Sequence, residues 1–147
     1  MAHGWRMGSA RGFLGKIQMT FLSRIFMAFG GLFALIWVGL SAAVGHGLGA
    51  SVDPSALAAS LAQHQFHALG LIVVGLALNH RPSRWLVAAG ALMLVGLFLF
   101  CLNMDARVLL GWEATRAWVP VGGSAFMLGW LCFCVGLLKP EGAPPHD

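Results

Sequence analysis

Two imidazoles three residues apart open a long apolar run, Gln63-His64-Gln65-Phe66-His67-Ala68-Leu69. On an α-helix, positions i, i+3 and i+4 share a face, so His64 and His67 line up with Gln63 one turn back. Another histidine, His46, closes an earlier apolar run, and Asn103 and Asp105 close a later one. Imidazole ligates metals and haem iron and exchanges a proton near neutral pH. Three chemistries therefore compete. The histidines can be hydrogen-bond links between helices, each worth about 1 kcal/mol or less. His46, His64 and His67 can converge on copper or zinc, or a histidine pair from two helices on a haem. They can also line a proton or small-solute path. The first asks least of the chain, because no H-E-x-x-H or C-x-x-C pattern accompanies them. No cofactor is thus expected, a metal or haem being the alternative, and a non-enzymatic protein is the expectation, with no catalytic residue named.

Residues of this kind must be positioned by helices in a bilayer. The 147-residue chain is 59% hydrophobic and 10% charged, with mean hydropathy +0.80. Soluble domains carry about 25% charged residues, so this chain lacks the polar surface to be one. Its net charge of +4 lies in flanking segments, which speaks for membrane topology and against a nucleic-acid partner. Four uncharged runs, at about 25–45, 57–78, 85–104 and 119–138, are long enough to cross about 30 Å of hydrocarbon as helices. The first exceeds the apolar core of a signal peptide, so it reads as a retained span.

The connections carry their own signals. Residues 1–18 form a basic, glycine-rich arm, expected to be flexible, with helix starting near Lys16. The transmembrane domain is placed at 19–139 and a Pro-rich, disordered tail at 140–147. Gly45-His46-Gly47-Leu48-Gly49 stops the first helix, and Asp53-Pro54 is an N-cap followed by proline. Asn79 to Arg84 is a turn, and Asp105 to Trp118 is a mixed-charge loop with Trp112 and Trp118 as interface anchors. Arginine and lysine favour the N-terminal arm and the second loop, which predicts cytoplasmic termini and an up-down four-helix bundle in a bacterial cytoplasmic membrane. His46, Gln63, His64, His67, Asn103 and Asp105 then share an outer slab, with Gln63, His64 and His67 roughly 10 Å or less below the surface.

Glycines mark the expected packing. Gly31, Gly39 and Ala43 would admit a neighbour to the first helix, and Gly122, Gly129 and Gly136 recur every seven residues as a seam on the fourth, beside Gly123 and Trp130. Cys101, Cys132 and Cys134 form no disulfide framework and are expected as free thiols. The expected partners are the lipid bilayer and other membrane subunits or a second copy of the chain.

Four elements in order resemble a small membrane family known as domain of unknown function 423, which includes transmembrane protein 256. Gly45-His46-Gly47-Leu48 is similar to its G-A-H-x-L element, and Gln63 to Leu69 to its Y-Q-x-x-H-A-L element, with His67 at the family histidine. Gly96 to Phe100 is similar to its G-x-x-L-F, and Pro120 to Gly123 with Gly129-Trp130 to its P-x-G-G…G-W. The likeness covers roughly residues 19–138. His64 and Gln63 stand where bacterial members have glutamine and tyrosine, and this chain has no tyrosine. The resemblance implies four helices and singles out His46 and His67; it implies no reaction.

Overall fold

Local chemistry sets the helix ends. The computed structural model describes residues 7–49, 53–112, 114 and 116–139 of the chain. Helix α1 runs Met7–Gly45 and ends on glycine for a conformational reason. Leu48 N donates to Ala43 O and Gly47 N to Val44 O, both at 3.0 Å, with Gly47 at φ 97°. These are the paired bonds of a Schellman stop, which needs a left-handed residue at its centre. His46 is therefore the exposed C-cap residue of α1. Helix α2, Pro54–His80, starts where Asp53 accepts from Ser55 N and Oγ at 2.9 and 2.8 Å. The Ser55 backbone bond, then its hydroxyl, holds the Asp53 carboxyl below the usual carboxylate range.

The third rod is composite. Helix α3, Arg84–Gly96, is capped by Ser83 and passes into a π-helical turn, Leu97–Leu102, then helix α4, Asn103–Leu110. Gly111, at φ 66°, ends it. A short 3₁₀ turn at Arg116–Trp118 leads into helix α5, Val119–Leu138, with Pro120 in its first turn. Four segments are long and apolar enough to cross a membrane: Ile17–Gly45, Pro54–His80, Arg84–Arg107 and Arg116–Leu138. The chain is thus an all-α, four-span membrane bundle.

Two boundaries differ from the sequence expectation. Helix α1 begins at Met7 and not near Lys16. Each interior glycine costs about 1 kcal/mol, but extension of an existing helix needs no new nucleus, so α1 propagates outward from its apolar part. The second boundary concerns residues 105–110, expected as loop and found in helix α4. Residues 1–6 of the arm, the 140–147 tail and Glu113 lie outside the described residues.

Helix α1 packs chiefly on α2 and α5 on α3, the two pairs being joined through α2 and the third rod. Leu71, Val74, Leu78, Leu86, Met93 and Leu97 are fully buried between them. The close approaches are made by missing side chains. A Cβ on Gly30 would lie 2.9 Å from Ala68 O, and one on Gly75 would lie 2.9 Å from Ser23 O. Ser23 Oγ donates to Gly75 O at 2.8 Å in the same contact. Gly31 and Gly39, expected at such a contact, have nothing within 4 Å and face outward. On α5, Gly122 meets the backbone of Leu99 and Phe100, Gly129 meets Met93 and Ala89, and Gly136 meets Leu86. One seven-residue stripe therefore seats α5 on the third rod.

The end of the bundle opposite His46 is clipped by Arg81, whose guanidinium donates to Leu137 O and Lys139 O, each at 2.7 Å. These are terminal carbonyls of α5, left without helical partners and carrying the negative end of the dipole. Lys139 in turn sits 4.9 Å over the Trp85 ring.

Candidate functional site

Asp105 is the pivot of the site, and the π turn puts it there. Buried positions on the third rod run Leu86, Met93, Leu97, Cys101 and Asp105. At 100° per residue, a regular α-helix would return to the Met93 direction eleven residues later, at Met104. A π turn, with i→i+5 bonding, takes up one extra residue. Asp105 then occupies the inward direction, and only 7% of it is exposed.

A buried carboxylate needs donors on both oxygens, and α2 supplies them. Ser60 Oγ donates to Asp105 Oδ1 at 2.5 Å, and His64 Nδ1 donates to Oδ2 at 2.8 Å. Ser60 and His64 are four residues apart, hence on one face. Both are fully buried, and Phe33 of α1 closes over the imidazole edge-on, with centroids 5.6 Å apart. Cys101 lies one turn before Asp105 and is also fully buried. With Nδ1–H committed to the carboxylate, His64 Nε2 remains; it is sealed from solvent and has no partner among the described residues.

His67 belongs to a different place. Its Nδ1–H donates to Gln63 O at 2.9 Å, and its ring stacks on Phe126 at a centroid separation of 3.4 Å and 15°. Phe66 stands across it at 88°. Gln63, Phe66, His67, Phe126 and Trp130 line an open groove of about 350 Å³ between α2 and α5. His67 is also deeper than expected. It is the fourteenth residue of the 27 in α2, midway along a helix of about 40 Å, because the helix runs the full distance from Pro54 to His80. Asn103, 9% exposed, lines a third region, an apolar groove of about 410 Å³ with Trp112 and Trp118.

The expected six-residue polar group is therefore divided. Asp105 joins His64, Gln63 joins His67, Asn103 lines the groove with Trp112 and Trp118, and His46 caps α1. The histidines of α2 point to different neighbours, His64 to Asp105 of α4 and His67 to Phe126 of α5. Among the described residues, no three His, Cys, Asp or Glu side chains lie close enough to hold a metal ion. Ser60 was missed in the sequence, where only its four-residue spacing from His64 marks it. Gly122 and Gly129 pack on the third rod, while a Cβ on Gly123 would meet only the Phe100 ring at 3.7 Å. Trp130 covers Gly70, whose Cβ would lie 3.0 Å from the indole. The three cysteines are free thiols, Cys101 buried and Cys134 exposed.

Comparison with known proteins agrees with this architecture. Residues 40–123 match the family described as "Protein of unknown function (DUF423)". A UPF0382 membrane protein of Staphylococcus epidermidis is 32% identical over 82 residues, covering 52% of this chain and 62% of that protein. The chain thus spans less than two thirds of that relative's length. The UPF0382 inner membrane protein YgdD of Escherichia coli is 27% identical over 92 residues, covering 60% of this chain and 68% of that protein. No solved structure matches. The matched segment runs from the end of α1 through His64 and Asp105 to Gly122 and Gly123, and with its four membrane-length helices the chain belongs to the DUF423 family of membrane proteins.

Proposed function

We propose that the protein is a non-enzymatic, multi-pass subunit of a bacterial cytoplasmic membrane, with the Ser60–His64–Asp105 cluster as its internal clamp. One observation carries this reading. Both Asp105 oxygens and His64 Nδ1 are consumed inside the cluster, and the remaining nitrogen is sealed from any reactant. The outward face of α1, with Gly31, Leu32, Leu35 and Val38 exposed, gives room for neighbouring subunits or a second copy. Elemental analysis and a visible spectrum of the purified chain test the clamp. Neither a stoichiometric metal nor a haem band is expected; metal near one per chain that falls with His64→Ala would replace the clamp by a ligand site.

An unpaired buried polar atom such as His64 Nε2 costs about 1–3 kcal/mol, and a buried water on that nitrogen would offset the cost.

The orientation follows from charge. Asp105 is buried against His64, so it does not offset the basic residues of the third loop. Arg6, Arg11 and Lys16 before the first span and Arg24 in its opening turns, with Arg81, Arg84 and Lys139, still outnumber Arg107 and Arg116. Both termini are therefore assigned to the cytoplasm. Reporter fusions at Ser51 and Asp147 are expected on opposite sides of the membrane, and same-side reporters would overturn the assignment.

A further inference from the structure

The groove beside His67 has the makings of a ligand site that the buried clamp does not use. It sits midway along α2, so in a membrane it opens into hydrocarbon. Among the described residues, two polar groups open to the groove stand without protein partners. His67 is 4% exposed and gives Nδ1–H to Gln63 O, which leaves Nε2 as a bare acceptor on the groove side; unlike His64 Nε2, it is not sealed. The exposed Gln63 carboxamide makes no hydrogen bond among the described residues. Lipid tails satisfy neither group, and such groups in hydrocarbon are costly.

The walls are aromatic. The stacked His67 and Phe126 rings form one face, Phe66 and Trp130 lean together with centroids 5.3 Å apart, and Gly123 leaves the floor open. A volume of about 350 Å³ is at the small end for ligand pockets, enough for one substituted ring whose tail stays in lipid. A partner helix would need a channel running the length of α2 and α5, and the projecting Phe66 and Met127, 58% and 75% exposed, interrupt one here.

We propose that this groove binds the ring of a membrane-soluble hydroquinone. Its hydroxyl donates to His67 Nε2, a neighbouring ring oxygen accepts from the Gln63 amide, and the ring lies among the aromatic side chains. The oxidised ring has only carbonyl oxygens, which cannot donate to a bare nitrogen, so the groove discriminates for the reduced form.

Titration calorimetry of the purified full chain in detergent micelles tests this, with a decyl-chain dimethoxybenzoquinone, whose methoxy oxygens neighbour the ring hydroxyls, in its reduced and oxidised forms as probes. The expected result is saturable one-to-one binding, at least tenfold tighter for the reduced form. His67→Phe keeps the stack on Phe126 but removes the acceptor, and should bring the two affinities within about threefold. Gly123→Leu fills the floor where a Cβ meets nothing closer than 3.7 Å, and should abolish saturable binding with helix content unchanged. Equal affinity for both forms, binding that survives Gly123→Leu, uptake without saturation, or tighter binding of a steroid alcohol than of the hydroquinone would each overturn the proposal.

Discussion

Asp105→Leu is expected to destabilise the bundle by about 2–3 kcal/mol, against about 0.6 kcal/mol for an average interhelical hydrogen bond in a membrane. The difference comes from what is left behind. The substitution removes the acceptor of two fully buried donors, Ser60 Oγ and His64 Nδ1. Stranding a buried donor costs about 1–3 kcal/mol in soluble proteins, and the membrane value per donor is lower because the unfolded helices also find partners. Asp105→Asn should fall between wild type and Asp105→Leu, since an amide oxygen can serve one donor while its NH₂ faces the other. Removing the whole cluster, as Ser60→Ala, His64→Leu and Asp105→Leu together, should return stability to within about 1 kcal/mol of wild type, because no buried polar atom is stranded. Equilibrium unfolding in mixed micelles reads all of these.

Gly75→Leu is expected to cost about 3 kcal/mol or more, and Gly31→Leu almost nothing. At Gly75 a Cβ would lie 2.9 Å from Ser23 O, a backbone atom that cannot turn aside. Helices α1 and α2 must separate, which breaks the bond from Ser23 Oγ to Gly75 O and opens the contact at Gly30. Overpacking of this kind costs about 1–3 kcal/mol before the lost bond is counted. At Gly31 nothing lies within 4 Å, so an added side chain enters lipid. The same unfolding measurement compares them. A loss of similar size for both would mean that α1 presents a different face to α2.

What could be read from the sequence was local. Asp53-Pro54, the Gly45–Gly49 stop and Pro120 act through bonds within a few residues, so they announced the helix ends. The seven-residue glycine spacing on α5 was legible because three repeats of one small side chain point the same way. Helix α1 was not. Gly30 and Gly31 are neighbours about 100° apart, and α1 is apolar on both its lipid-facing and protein-facing sides. No polar stripe marks which glycine meets α2.

The site was half legible for a related reason. Histidines in an apolar helix stand out by type, so His64 and His67 are legible, but a common face does not bring a common partner. Asp105 reads as the start of a loop because its charge follows an uncharged run; a constant helical period would send Met104 inward in its place. The π turn that reverses this has no side-chain signature in Leu97 to Leu102. Ser60 lies among Ala58, Ala59 and Ala62, where a serine reads as one more small packing residue.

The pairing of His64 with Asp105 across the rotated third rod is tested most directly by a double-mutant cycle of His64→Leu and Asp105→Leu, read by equilibrium unfolding. The double variant should cost about 2 kcal/mol less than the sum of the single variants, because each single change strands a partner that the double change removes. Additivity within about 0.5 kcal/mol would show the two side chains to be energetically independent, and would contradict an inward Asp105 held by the π turn.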